Sequence, residues 1–426
     1  MKKNIRSKFV KKKTYELKKV GSKLIHELAQ TAAKKPSQFS ENFSPIFIKS
    51  GKGSYIKDLE NNNLLDTIMG IGPIILGYNH PVTNKAIKDQ LRNGIIFSLI
   101  HPLELKLAKL LKDNIPNMEM FRFSKTGADS TSAAIRAARN YTQKDKILSC
   151  GYHGWHDWNA ISLNKNSGVP TFNERLVKKV KYNNFEEIAD NLDNSTGALI
   201  MEPIIFDFPK KGYLQKIRKI TKQKKIILIF DEMWTGFRLH VGGAQKYFNI
   251  NADLVCYSKA IANGMPISVL AGKRKIMNSL NEKSFFYTTF GGETLSIASA
   301  ISTINFLKKN NVCNKIDTIG NKLIINLNDI IKENNFNSLN IIGYGARSLM
   351  NILLENPLPI KTYIHQEFLK DGILWNGIFN LSYSHKHSEI NKICKSFNRI
   401  LKKINKIGVS KIDNHIHGEK IKKLIM

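Results

Sequence analysis

Short apolar runs alternating with stretches of helical spacing dominate the chain beyond residue 67. Ile226–Phe230, Leu254–Tyr257 and Ile267–Ala271 are four or five residues long, each bounded by charge, Gly or Pro. Runs this short and this uniformly apolar predict strands buried on both faces rather than helices. Met120–Phe123, Lys146–Cys150 and Gly197–Met201 share that character, and Arg347–Leu353 is a further strand candidate. Between the runs, Leu103, Leu107, Leu110 and Leu111 line one face of a helix over Pro102–Lys112. Helices are also predicted over Val82–Leu91, Ser130–Tyr141 and Thr294–Leu307, at Ile217–Lys222 as the end of another, and just after Gly272. Strand–helix alternation of this kind argues for an α/β fold with a mainly parallel, doubly wound central sheet.

The opening of the chain is patterned differently. Residues 1–14 form a basic arm expected to be flexible, and Leu17, Val20, Leu24 and Leu28 predict an amphipathic helix over Tyr15–Leu28. Ala29–Pro45 is polar with two prolines and is expected as a loop; Ile46–Leu65 predicts short strands turning at Gly51, Gly53 and Asn61–Asn63. The expected organisation is an arm (1–14), an N-terminal segment (15–66), a large domain (67–308) and a C-terminal segment (309–426), the two segments sharing a smaller α+β domain.

Charge and cysteine usage narrow the function classes. A net charge of +32 would suit nucleic acid or an anionic membrane surface. Yet only 11 of the 66 basic residues are Arg, and the lysines are dispersed rather than interleaved with aromatics, so neither partner is expected. No apolar run approaches the roughly 20 residues that span a bilayer, and MKKNIRSKFVKKKTYELKKV lacks the apolar stretch of a signal peptide. Cys150, Cys256, Cys313 and Cys394 are far apart and form no CxxC pair, which suits reduced thiols in a cytoplasm. His153, His156, His415 and His417 fall in no metal-ligand spacing, and no metal is expected.

Ligand chemistry in open α/β sheets gathers past the carboxyl ends of the strands. Asp231 follows one apolar run at once, and Ser258-Lys259 follows the next. An acid and an amine at neighbouring strand ends, with Gly-rich turns between, suit pyridoxal 5'-phosphate, which needs one acidic partner and one covalent lysine. Such a lysine must be deprotonated to form its Schiff base, a state that burial and a nearby cation favour. Gly127-Ala128-Asp129 opens a helix, where amides and dipole suit a phosphate.

DEMWTGFR, GGAQ, ADL, SKAIANGMP and the closing AG together resemble the class III pyridoxal-phosphate aminotransferases, and the likeness runs from about Tyr15 to Lys406. Within that family the chain is most similar to glutamate-1-semialdehyde 2,1-aminomutase and to amino-sugar-type transaminases. The resemblance implies a fold type I transferase with helices on both faces of its sheet, assembled as a homodimer. It implies Lys259 as the Schiff-base lysine, Asp231 as the acid at the pyridine nitrogen, Tyr152 as the aromatic over the ring, and Thr289 as a contact to the neighbouring subunit's cofactor phosphate. Where the family has Ser-Gly-Thr-Glu, this chain has Thr126-Gly127-Ala128-Asp129, so backbone amides of Gly127 and Ala128 replace a missing hydroxyl. Where it has Gly-Asn-Pro, this chain has Gly292-Glu293-Thr294. Glu202, His153 and Lys34 are the expected substrate-side residues.

One departure bears on the reaction. The aminomutase holds its substrate carboxylate with an arginine in the N-terminal loop, and this chain has no arginine between Arg6 and Arg92. Lys34 and Lys35 cannot supply a planar, bidentate grip. The loop's AQT…K.P.QF pattern resembles the amino-sugar branch instead. The expected activity is therefore transfer of an amino group from an amino-acid donor to an aldehyde or ketone acceptor, sugar-like or otherwise polar. The aminomutase reaction is the alternative, and a non-catalytic basic nucleic-acid-binding protein the remote one.

Overall fold

Two units, divided at His80/Pro81 and Asn314/Lys315, make up the computed structural model, which describes residues 7–280 and 284–424. The unit built from both ends of the sequence opens with Phe9 and Val10, buried in a cluster with Phe43, Ile56, Leu64, Ile68, Leu369 and Leu374. Residues 1–6 of the expected arm lie outside the described residues, and the first helix, Lys12–Leu24, starts inside that arm. It stops at Leu24 because Ile25 turns extended, with φ −120° and ψ 116°, and Glu27 and Leu28 beyond it adopt left-handed backbone, with φ of +52° and +53°. The predicted loop follows, carrying two single-turn 3₁₀ segments, Ala32–Lys34 and Pro36–Gln38. Strands β1 (Ile48–Lys52), β2 (Tyr55–Asp58) and β3 (Asn63–Asp66) then form an antiparallel meander.

Seven strands form the sheet of the other unit: β4 (Met120–Ser124), β5 (Lys146–Cys150), β6 (Val177–Lys179), β7 (Thr196–Met201), β8 (Ile227–Asp231), β9 (Leu254–Tyr257) and β10 (Ser268–Gly272). Their spatial order is β4-β10-β9-β8-β7-β5-β6. The pairs from β6 through β9 are parallel, whereas β10 runs antiparallel to both of its neighbours. Every residue of β7, β8, β9 and β10 is buried, as continuous apolar runs require. The helix Gly127–Thr142 lies on this sheet through Ala133, Ala134, Ala137 and Ala138, whose small side chains let it approach Ile147, Ile200, Ile229 and Cys256 closely. Strand β6 was not legible in the sequence: only Val177 is buried, and its two lysines are exposed on the sheet's edge. The helical stretch expected after Gly272 is the single turn Arg274–Met277; residues 281–283, further along, lie outside the described residues.

The chain returns to the first unit with β11 (Leu339–Tyr344), β12 (Arg347–Ile352), β13 (Ile373–Leu374) and β14 (Ile378–Asn380). β13 joins the meander beside β3, in parallel, and β11-β12-β14 form a separate antiparallel sheet. The loop at 37–41 is then tied down from far along the chain. Ser40 Oγ donates to the carbonyls of His417 (3.2 Å) and Glu419 (2.9 Å), Glu419 N donates to Glu41 O (2.8 Å), and Lys422 N donates to Ser37 O (2.8 Å). The same stretch is anchored to the helix Leu358–Lys370, where Ile421 N donates to Thr362 Oγ1 at 3.0 Å.

Beside the site described below, Glu232 is fully buried and accepts hydrogen bonds from Thr235 Oγ1 (2.7 Å), Ala244 N (2.7 Å) and Gln245 N (3.2 Å). It thereby holds the Gly242-Gly243 turn. Gly243 has φ +70°, and a Cβ there would sit 2.5 Å from the carboxylate. Burial pushes the Glu232 carboxyl from 4.5 up to about 7 against the three donors, with the charge of Asp231 adding to the rise. Because the unfolded chain ionises first, stability is expected to fall as pH rises from about 4.5 to about 7, by on the order of 2–3 kcal/mol. Urea unfolding of the wild type and Glu232→Gln at pH 5 and pH 8 checks this. The stability difference between the two proteins should change with pH in that window, and a constant difference contradicts it.

Candidate active site

The register of the sheet brings the expected chemistry to one edge. Asp231, the last residue of β8, lies opposite Cys256 of β9, so Ser258 and Lys259 leave the sheet just beyond it. β4 is antiparallel to β10, which is antiparallel to β9, so β4 ends at that same edge and the helix Gly127–Thr142 begins there. β5 delivers Tyr152 and His153 to this edge, and β7 delivers Glu202. All of these residues belong to the Pro81–Asn314 unit.

Lys259 is half-buried and opens the 3₁₀ turn Lys259–Ala262 with φ +47°, a left-handed conformation that costs a non-glycine residue about 1 kcal/mol or more. The turn is clipped to the start of β10 by Ser258 Oγ, which donates to Ile267 O at 2.8 Å. Lys259 Nζ stands 3.6 Å from the centre of the Trp234 ring, over its π face. Trp234 lies inside the DEMWTGFR run, yet the sequence assigned it no role; its position three residues after Asp231 was the available signal.

Asp231 is 2% exposed. Its Oδ1 accepts from Met233 N at 3.0 Å, and its Oδ2 lies 2.7 Å from His153 Nδ1. His153, expected on the substrate side, is 2% exposed and packs against Asp231, with its ring parallel to Trp158 at 6.3 Å. Its Nε2 is buried with no hydrogen-bond partner among the described residues. A polar atom left so is tolerated where the ring is held for its other nitrogen.

Tyr152 keeps 41% of its surface exposed. Burial raises its hydroxyl's pKa, and the charge of Asp231 adds to that rise. Its backbone N donates to Glu202 Oε1 at 3.0 Å, and the φ of +127° at Gly151 leaves the carboxylate where a Cβ would come within 2.7 Å. Glu202, also expected on the substrate side, is 6% exposed and supports the Tyr152 loop. That loop packs on the helix start: Thr131 Oγ1 donates to His153 O at 2.6 Å, and a Cβ on Gly154 would sit 2.7 Å from Ala128 Cβ.

At the start of the helix, Thr126 Oγ1 accepts from Asp129 N (3.2 Å) while Asp129 Oδ2 accepts from Thr126 N (2.7 Å). This reciprocal cap leaves the amides of Gly127 and Ala128 as the first-turn donors it does not use. Gly127 carries no side chain where one would meet Met233 Sδ at 2.8 Å. Thr289 is exposed on the turn that precedes the helix Thr294–Lys309. Lys34 lies in the other unit, exposed on its 3₁₀ turn.

Pyridoxal phosphate asks for an amine to bind its aldehyde, an acid for its ring nitrogen, N–H donors for its phosphate and a flat side chain for its ring. Lys259, the buried Asp231, the two unused amides and Tyr152 are those groups, so the residues present fit it.

A model of the class-III aminotransferase family matches residues 37–401. A glutamate-1-semialdehyde 2,1-aminomutase from Thermosipho melanesiensis is 34% identical over 402 residues, covering 85% of this chain and 94% of the relative. A 3-aminobutyryl-CoA aminotransferase from Cloacimonas acidaminovorans is 36% identical over 310 residues, covering 70% of this chain and 74% of the relative. The fold matches that of the FumI protein from Sphingopyxis sp. MTA144 with a TM-score of 0.87, at 21% identity and over 92% of this chain and 97% of that one. With the family's sequence across most of the chain and a fold type I sheet carrying its cluster of acid, amine and amides at one edge, this protein belongs to the class-III aminotransferases and is a pyridoxal 5'-phosphate-dependent enzyme.

Proposed function

We propose that the enzyme moves an amino group between two molecules, from an amino-acid donor such as glutamate to an aldehyde or ketone of polar, sugar-like character. Bound at the sheet edge, pyridoxal phosphate supplies a sink for the electron pair released when the substrate's Cα–H bond breaks. Lys259 would hold the cofactor through its amine and, once the substrate's amine has displaced it, that freed amine would take the Cα proton. Asp231, backed by His153, keeps the ring nitrogen protonated. The amides of Gly127 and Ala128 take the phosphate, and Tyr152 covers the ring.

The observation that carries transfer between molecules is the N-terminal loop, which offers Lys34 and Lys35 and lies in a stretch with no arginine between Arg6 and Arg92. An aminomutase must keep its own intermediate in place while the nitrogen is returned, and a displacement of about 1 Å there costs roughly a hundredfold in rate. The second reading, the aminomutase, is favoured by the Thermosipho relative, 34% identical over 85% of this chain. Incubation with glutamate alone should release about one equivalent of 2-oxoglutarate per subunit, as a ping-pong transaminase requires. Absence of that burst with any amino acid, together with conversion of glutamate-1-semialdehyde to 5-aminolevulinate, would replace this reading by the mutase.

We also infer a cytoplasmic homodimer. Leu99 (85% exposed), Ile100 (79%) and Phe285 (75%) leave a monomer with apolar surface in water. All four thiols are free, and burial pushes that of Cys150 up to about 12. Mixing Lys259→Ala chains with Thr289→Ala chains should restore activity, since one site of the mixed dimer keeps both residues. An active monomer in sedimentation contradicts the dimer, and recovery of the protein with the membrane fraction contradicts the location.

A further inference from the structure

Lys125 occupies a position that none of these roles uses. It joins the end of β4 to the cap of the helix that offers Gly127 and Ala128, and its own N donates to Asp129 Oδ2 at 3.2 Å. Its Nζ lies 2.9 Å from Glu293 Oε2 and 3.4 Å from Ser296 Oγ. Both side chains of the ion pair are largely shielded, 20% and 12% exposed.

Glu293 is itself a cap. Its Oε1 accepts from Leu295 N (2.6 Å) and Ser296 N (3.3 Å), and its Oε2 accepts from Ser296 Oγ (2.6 Å), which fixes the start of the helix Thr294–Lys309. The turn before it lies against the end of β4, where a Cβ on Gly291 would come 2.7 Å from Phe123 O. One shielded ion pair thus fastens the cap of one helix to the residue beside the cap of another. The second of these segments also carries Thr289.

We propose that the Lys125–Glu293 pair is a positioning device for the cofactor's phosphate. Amides bind an anion well only when held in place, and Lys125 fixes the turn from which the Gly127 and Ala128 amides project. Pairing also cancels the charge of Glu293, which would otherwise repel a phosphate dianion from the same edge. The inference rests on the phosphate role proposed for this turn, and it assigns two residues on which that role depends.

The test measures dissociation constants of the full-length apoprotein for pyridoxal phosphate and for pyridoxal, which lacks the phosphate. Lys125→Met is expected to weaken pyridoxal phosphate by about tenfold or more, with pyridoxal changed by less than about twofold. Lys125→Arg should keep near-native affinity. Glu293→Gln should weaken pyridoxal phosphate as well, and the double variant Lys125→Met/Glu293→Gln should lose no more than Lys125→Met alone, as residues acting as one unit do. Equal losses for both ligands would make the pair merely structural and overturn the proposal. Tighter pyridoxal phosphate binding by Glu293→Gln would also overturn it, because Lys125 would then act as an independent cation. A wild-type protein that holds both ligands equally would instead sink the phosphate role of the turn itself.

Discussion

Replacing Lys259 with alanine is expected to lower turnover by ten-thousandfold or more and to abolish the yellow colour of the enzyme loaded with cofactor. The size follows from two losses at one position. The covalent attachment proposed there goes, and so does the amine that the sheet register delivers just beyond Asp231. The geometry adds a further reason for sensitivity: Lys259 sits in a left-handed conformation at the head of a clipped turn, with its Nζ set over Trp234. Borohydride reduction of the wild type followed by peptide mapping should mark the peptide that contains Lys259. With 55 lysines in the chain, a label on another lysine is an easy alternative to detect and would overturn the assignment.

Asp231→Asn should behave differently, retaining cofactor while losing roughly a thousandfold or more in rate. An amide of nearly the same shape still accepts from Met233 N, but it cannot hold a proton on the ring nitrogen. The 2.7 Å contact to His153 strengthens the expectation, since a buried imidazole facing an amide can no longer stabilise a charge there. Titration with pyridoxal phosphate separates the two effects. Near-native turnover in this variant would mean that the acid does not serve the ring.

The central strands were legible because parallel strands covered on both faces must be apolar along their buried length, and Gly197–Met201, Ile227–Phe230 and Leu254–Tyr257 are. The strand-end positions of Lys259 and Asp231 were legible for a related reason, since a charged residue immediately after an apolar run marks where a buried strand ends. Strand β6 gave no such signal because an edge strand needs only one buried side chain. The early end of the first helix depends on Ile25 turning extended, followed by two left-handed residues, Glu27 and Leu28, of types that carry no preference for that conformation. The contact between His153 and Asp231 was not legible because it spans 78 residues and neither residue's neighbours encode it. The Lys125–Glu293 pair, 168 residues apart, was hidden in the same way.

The ladder between residues 37–41 and 417–422 gives the order of synthesis a physical meaning. Ser40 is made 377 residues before His417, the partner whose carbonyl its hydroxyl binds. At about 5–20 residues per second, the N-terminal loop waits on the order of 20–75 s for the segment that closes over it. The Pro81–Asn314 unit has all of its own sequence well before then. A nascent chain therefore carries Lys259 on a complete sheet while the loop bearing Lys34 and Lys35 still lacks its lock, and that loop gains these hydrogen bonds only once residues 417–422 have been made.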